Sequence, residues 1–515
     1  MSALLVGVVT LPLIAVLGAL LGGSRRPRLV ALVGASTAGA GFIGTCVLAV
    51  RVAVHGPVSA DLTSAGGALI AGLEANRLTV LLLLLVHGVS TVAQVFAMRY
   101  LACDERAGWF TAGAGLLTTA SAGLMTSATL VGLACCWTGA GAALCLLLAT
   151  YRDLPAARDG VRRTATGFLM GDLALWAAVG LLTVQWGNIG MDGLTAGRSG
   201  HPAPAALIVV AALSRSAQIP FHRWLPATLA APTPVSALLH AGVVNAGGVL
   251  LVRMSPVVSA SAAAMALAFA AGALSTVYGA VVMLTKPDIK GSLVFSTMAQ
   301  MGFMIMTCGL GLSAAAVFHL TGHGFYKATL FLSSGSAIAK RRRKAARPPL
   351  AAMGPARWAT IQVSAMAVSA AALLAAGALV APPHAGSTAA LLVFAWATGA
   401  AALSGWLARN PGALTALTGA AALLIAAVAY ETLVAAVTRF IDPGLPPVSV
   451  PALSSSGIAA IAVILGALTL LHRAPETGRA GALQRALYTR ALTAGHVPVP
   501  RPLSPWTLQS MGATP

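Results

Sequence analysis

The chain has 515 residues, of which 58% are hydrophobic and 9% charged, where ordinary soluble domains carry about 25% charged residues. Lysine and arginine outnumber aspartate and glutamate by 32 to 12, but a nucleic-acid partner would call for an aromatic-bearing soluble domain to present the basic patch, and no stretch is polar enough to form one. What remains is an all-α polytopic membrane protein.

Apolar runs of about 20 residues, long enough to cross roughly 30 Å of hydrocarbon as helices, follow one another from end to end. About 14 to 15 transmembrane helices are predicted on this criterion, near 3–22, 29–54, 78–97, 110–128, 129–149, 166–186, 204–219, 233–253, 257–284, 291–312, 314–338, 358–381, 387–408, 411–439 and 453–471. A membrane barrel would instead show alternating segments of about ten residues. The first run lacks a basic leader and reads as a retained span. Residues 1–472 form the membrane domain and 473–515 a basic tail.

The basic residues set an orientation. With the N-terminus outside, Arg25, Arg26, Arg28, the loop Arg99–Arg106, Arg152–Arg163, Arg223, Lys286–Lys290, Lys340–Arg347 and the tail from Arg473 all fall on the cytoplasmic side, as the positive-inside rule requires. The opposite loops, His55 to Asn76, Gly187 to Pro202, Pro382 to Ser387 and Ile441 to Ser454, are poor in basic residues. The expected location is the cell (inner) membrane, and Lys340–Arg347 reads as a stop-transfer anchor on anionic lipid.

Within the spans, ionisable residues are the informative ones, because a charge at mid-membrane depth costs roughly 2.5–3.5 kcal/mol on insertion scales. Asp172, in TGFLMGDLALWAAVG, has no basic neighbour in sequence and needs a partner from another helix. Arg215 is the candidate, in the stretch SRSAQIPFHRWLPATLAAPTPVSALLHAGVVNAGGVLLVR, where Pro220 breaks the helix. Arginine stays protonated, so it can hold a counter-ion or orient water but cannot pass a proton on. His240 follows the Pro232-Thr-Pro234 helix start, with Asn245 on the same span; it either serves an ion path or hydrogen-bonds a neighbouring carbonyl. His319, His323 and Lys327 recur at spacings of four, which stacks them on one helical face, and imidazole exchanges protons near neutrality. These residues are read as an ion path, with helix-to-helix hydrogen bonding as the alternative. Glu431, eight residues before Arg439, is a secondary candidate or an interfacial ion, and His87 stands alone in an apolar helix. The six cysteines show no metal-ligand spacing, so no metal, cofactor or disulfide is assigned to this chain.

The segments SRSAQIPFHRWLPATLAAPTPVSALLHAG, TKPDIKGSLVFSTMAQMGFM and FHLTGHGFYKATLFLSSGS resemble the antiporter-like subunits of respiratory complex I and the Mrp cation antiporters. The resemblance runs from about Leu78 to Ser336. It implies two inverted five-helix repeats, each with a broken helix, and proton half-channels lined by Asp172, His240, His319, His323 and Lys327. Two positions depart from the family: its lysine before SAQ is here Arg215, and its glutamate after the tryptophan of the fifth span is here Thr138. The arginine-bearing form with HAGVVNAGG is most similar to the DabB-type subunits. That resemblance implies an ion-conducting (proton or Na+) subunit of an inorganic-carbon accumulating complex, working with a soluble zinc-bearing DabA-type protein on the cytoplasmic side. The alternatives are an antiporter-like subunit of a respiratory NADH:quinone oxidoreductase or Mrp complex, and a scaffold whose buried ions only fix helix packing.

Overall fold

A computed structural model describes residues 1–22, 25–65, 68–187, 190–194, 202–336, 354–380, 385–446 and 478–495, with a few single positions besides. Its helices are α1 (Ser2–Thr10), α2 (Leu13–Gly22), α3 (Pro27–His55), α4 (Arg77–Tyr100), α5 (Ala107–Thr126), α6 (Leu130–Leu148), α7 (Pro155–Trp186), α8 (Ala203–Arg215), α9 (Thr233–Ala241), α10 (Ala246–Arg253), α11 (Ser255–Ser259), α12 (Ala262–Met283), α13 (Ile289–Gly309), α14 (Ser313–Leu332), α15 (Pro355–Val380), α16 (Ala385–Arg409), α17 (Ala413–Ile441) and α18 (Gly478–Ala494).

Among the described residues ten of the expected spans are helices long and apolar enough to cross a membrane, and an eleventh, the first in the chain, is the pair α1 and α2, bent by 40° where Pro12 interrupts it. Three more expected spans are helices that miss that measure. In α8 the helix stops short at Arg215, α14 carries the histidine and lysine stripe, and α5 is rich in glycine and threonine. The stretch 453–471 lies outside the described residues, as does most of Lys340–Arg347.

The loop between α3 and α4 is more ordered than an apolar-span reading anticipates. It folds into an antiparallel hairpin, β1 (Val58–Ala65) and β2 (Ala68–Ala75), with Val58 opposite Ala75 and Ala60 opposite Leu73. These four side chains are buried while Ser59 and Glu74 pair on the other face, the period-two alternation of a half-buried ribbon. The hairpin is stitched to the turn between α5 and α6: Ala128 donates its amide to Gly72 O at 2.9 Å and Thr129 Oγ1 donates to Ile70 O at 3.1 Å. Arg253, at the end of α10, completes the joint by donating from Nη1 to Leu124 O at 2.6 Å and from Nη2 to Ser127 O. It thereby satisfies carbonyls that the end of α5 leaves free.

α9 and α10 lie at the centre of the bundle. The span Thr233–Arg253 has 94% of its apolar window buried, against 22% for each long helix after Gly354. α15, α16 and α17 are unbroken and pack as a separate group against α14. At the end of the bundle away from the hairpin, α18 rests on α12, where Tyr278 Oη donates to Ala494 O at 2.9 Å and Lys286 Nζ to Gly495 O at 2.5 Å.

Candidate functional site

The structure brings Asp172 and Arg215 together. The Arg215 side chain is 1% exposed and that of Asp172 15%; Nη2 donates to Asp172 Oδ1 at 2.8 Å. Trp137 supplies the rest of the pocket: its carbonyl accepts from Arg215 Nη1 at 3.1 Å and its indole Nε1 donates to Asp172 Oδ1 at 2.8 Å. The guanidinium carbon also sits 4.4 Å from the Trp137 ring centre and 4.1 Å from that of Phe168, a cation–π sandwich of the kind that strengthens when water is excluded. A β-carbon at position 141 would stand 3.0 Å from both terminal guanidinium nitrogens, so glycine there gives the arginine room against α6. Thr138 takes no part in this pocket; it accepts from Trp176 Nε1 at 3.2 Å nearer the surface.

Beyond Arg215 the helix cannot continue. Ala217 has φ of 52°, a left-handed conformation unfavourable for a residue with a β-carbon, and Pro220 lacks an amide proton. The broken end of α8 meets the break between α9 and α10, where Ser216 Oγ donates to Val244 O at 2.7 Å. Asn245 lies at that second break, its Nδ2 donating to Ala241 O at 2.8 Å. Gln218 Oε1, Asn245 Oδ1, Arg215 Nε and His240 Nδ1 are buried with no hydrogen-bonding protein partner. Buried polar atoms of this kind are ordinarily satisfied by ordered water.

His240 is buried and stacks on Phe331 of α14 with ring centres 4.3 Å apart and planes 9° from parallel. On α14 the stripe expected from spacing is present. His319 and His323 have ring centres 5.9 Å apart. Lys327 is 1% exposed; its Nζ donates to Ser296 Oγ at 2.6 Å and to Leu293 O at 3.4 Å. Among the described residues no carboxylate pairs with it. Towards the end away from the hairpin, Lys290 donates to Ala231 O at 3.3 Å. At the other end His319 meets the edge of Phe303 at 4.9 Å between centres.

Among the described residues no contact brings Glu431 into this file. It is buried on α17 with Oε1 unpartnered, and it faces Gly377 of α15. Arg439, two turns along, is exposed. Spacing alone missed Trp137, Phe168, Gly141, Ser296 and Arg253. Arg253 carried a signal, being a basic residue in the same apolar span as His240. The two aromatics and the serine carried none, since in apolar helices they are indistinguishable from lipid-facing or packing residues. Among the described residues no cluster of histidine, cysteine, aspartate or glutamate could hold a metal.

The sequence pattern of a known family, described as the NADH:quinone oxidoreductase/Mrp antiporter transmembrane region, matches residues 127–418. The chain belongs to that family. The family match contains the ion pair, both breaks and the histidine–lysine stripe; the hairpin and α1 to α5 precede it. A probable inorganic carbon transporter subunit, DabB1 of Halothiobacillus neapolitanus, is 36% identical over 288 residues, 54% of this chain and 52% of the relative. NADH-quinone oxidoreductase subunit L of Mycobacterium tuberculosis is 32% identical over 346 residues, 64% of this chain and 55% of the relative. The chain thus spans about half the length of the curated relatives it matches. In fold it is similar to the Mrp complex from Dietzia sp., with a TM-score of 0.62 over 99% of this chain and 62% of that one at 23% identity. It is likewise similar to an archaeal membrane-bound sulfane sulfur reductase, with a TM-score of 0.60 at 16% identity, covering 96% and 97% of the two chains.

Proposed function

We propose that this antiporter-like membrane subunit conducts protons along the file Lys290, His240, Lys327, His323 and His319. Asp172 and Arg215 set the electrostatics at its branch through the helix breaks. The observation that carries the reading is Lys327: a buried lysine held by one hydroxyl and one carbonyl, with two imidazoles following at helical spacing. Such a group is positioned for exchange rather than for a fixed ion pair. The similarity to inorganic carbon transporter subunits supports placing the chain in a complex that accumulates CO2 or bicarbonate. In that reading the soluble partner, a zinc-bearing DabA-type protein, docks on the cytoplasmic basic loops and performs the hydration, for which this chain offers no chemistry. One proton crossing 100 mV releases about 2.3 kcal/mol, enough to bias a hydration equilibrium nearly fiftyfold at about 1.4 kcal/mol per decade.

In a CO2-requiring host rescued by the complex, Lys327→Ala abolishes growth in air while leaving the protein level unchanged; normal growth removes the file from the account. The match to subunit L over 64% of this chain supports a second reading, a proton-translocating subunit of a respiratory complex. Purification of the native assembly separates the two, since a soluble zinc protein co-elutes in the first case and quinone-reductase subunits in the second.

A further inference from the structure

We propose that the seam between α3 and α4 holds a second hydrated site, built around His87 and Gln94, which takes water and an exchangeable proton separately from the file described above. The two helices run antiparallel, and two glycines of α3 stand opposite two polar residues of α4 at the same spacing. A β-carbon at Gly41 would come within 2.6 Å of His87 Nδ1, and one at Gly34 within 2.5 Å of Gln94 Oε1. Both glycines therefore make room for polar side chains, not merely for close helix packing.

Ser90, on the same face of α4, and Thr118 of α5 complete the cluster. Thr118 Oγ1 donates to Ala114 O at 2.7 Å, so in its 2.7 Å contact with Ser90 Oγ the serine is the donor. Ser90 Oγ in turn accepts from Gln94 Nε2 at 3.0 Å. The direction of every bond in this chain is thus fixed, and it leaves Gln94 Oε1 without a donor. Neither nitrogen of His87 has a protein partner. All four residues are at most 3% exposed. A neutral imidazole has one donor and one acceptor to satisfy, and leaving these buried and unpaired is costly, a cost that a bound water would relieve. His87 is the titratable member; Gly41 faces it across the seam, and Ser90 and Gln94 on its own helix and Thr118 on α5 carry no charge.

The site is distinct from the file. Its polar members Ser90, Gln94 and Thr118 belong to α4 and α5, whereas the histidine–lysine stripe is on α14, whose Phe325 would stand 3.1 Å from a β-carbon at Gly88. The site also lies before residue 127, where the family match begins.

Deuterium exchange at histidine Cε1, followed by mass spectrometry on the full chain in lipid nanodiscs, tests the proposal, because that exchange needs both water and a ring that gains and loses a proton. His87 is expected to take up deuterium, with exposed His55 as the internal standard. A His87 that stays unlabelled after His55 is fully labelled overturns the site. In Gln94→Leu, uptake at His87 is expected to fall while His55 is unchanged; unaltered uptake at His87 shows that Gln94 is no part of it and overturns the cluster as drawn.

Discussion

Removing the carboxylate of Asp172 is the sharpest perturbation the structure offers. In Asp172→Leu the guanidinium of Arg215, 1% exposed, keeps only the Trp137 carbonyl and two ring faces. Breaking a buried ion pair from one side costs about 3–5 kcal/mol, and the orphaned Trp137 indole adds about 1–3 kcal/mol. The ring faces flank the guanidinium before and after the substitution and cancel, so the net expectation is a loss of about 4–8 kcal/mol. Adding Arg215→Met removes the uncompensated charge, and the double variant returns to within about 2 kcal/mol of the parent. Unfolding free energies from detergent titration in mixed micelles supply the numbers, with proton transport measured on the same preparations. A single variant as stable as the parent refutes the claim that this is a buried, desolvated pair. A double variant that is stable and transports normally shows that the pair is a bolt between α7 and α8 and has no part in the path.

Arg215→Lys keeps the charge but makes it titratable and removes the planar fork; the pH profile of transport is expected to shift, and an unchanged profile assigns Arg215 to structure alone. Arg253→Met removes two charge-assisted bonds to Leu124 O and Ser127 O, each worth about 1.5–3 kcal/mol. Thermal stability should fall and the hairpin amides should exchange faster while transport per folded molecule is retained; a loss of transport at full stability would place Arg253 in the path.

The parts of this molecule that were legible in sequence are those where physics leaves few options. Apolar runs must be helices in lipid, and ionisable residues in them must find company, so Asp172, Arg215 and the three-residue stripe on α14 stood out at once. What could not be read was which helices supply the company. Trp137 uses both its indole and its backbone carbonyl to tie Asp172 to Arg215, a contact set by the packing of α6 against α7. The break at 242–245 has no proline and follows from how α9 and α10 meet the broken end of α8. The hairpin was hidden because Val58, Ala60, Leu73 and Ala75 are mostly small, which makes its alternation faint. His87 looked isolated because its polar neighbours, Ser90 and Gln94, are uncharged and lie three and seven residues away.

The central claim is that protons move along the buried histidine and lysine side chains of α14 and α9. Proton flux into proteoliposomes holding the purified assembly, driven by an imposed membrane potential and read with an internal pH dye, tests it most directly. Lys327→Ala should abolish the flux while the assembly stays intact; flux equal to that of the parent contradicts the account.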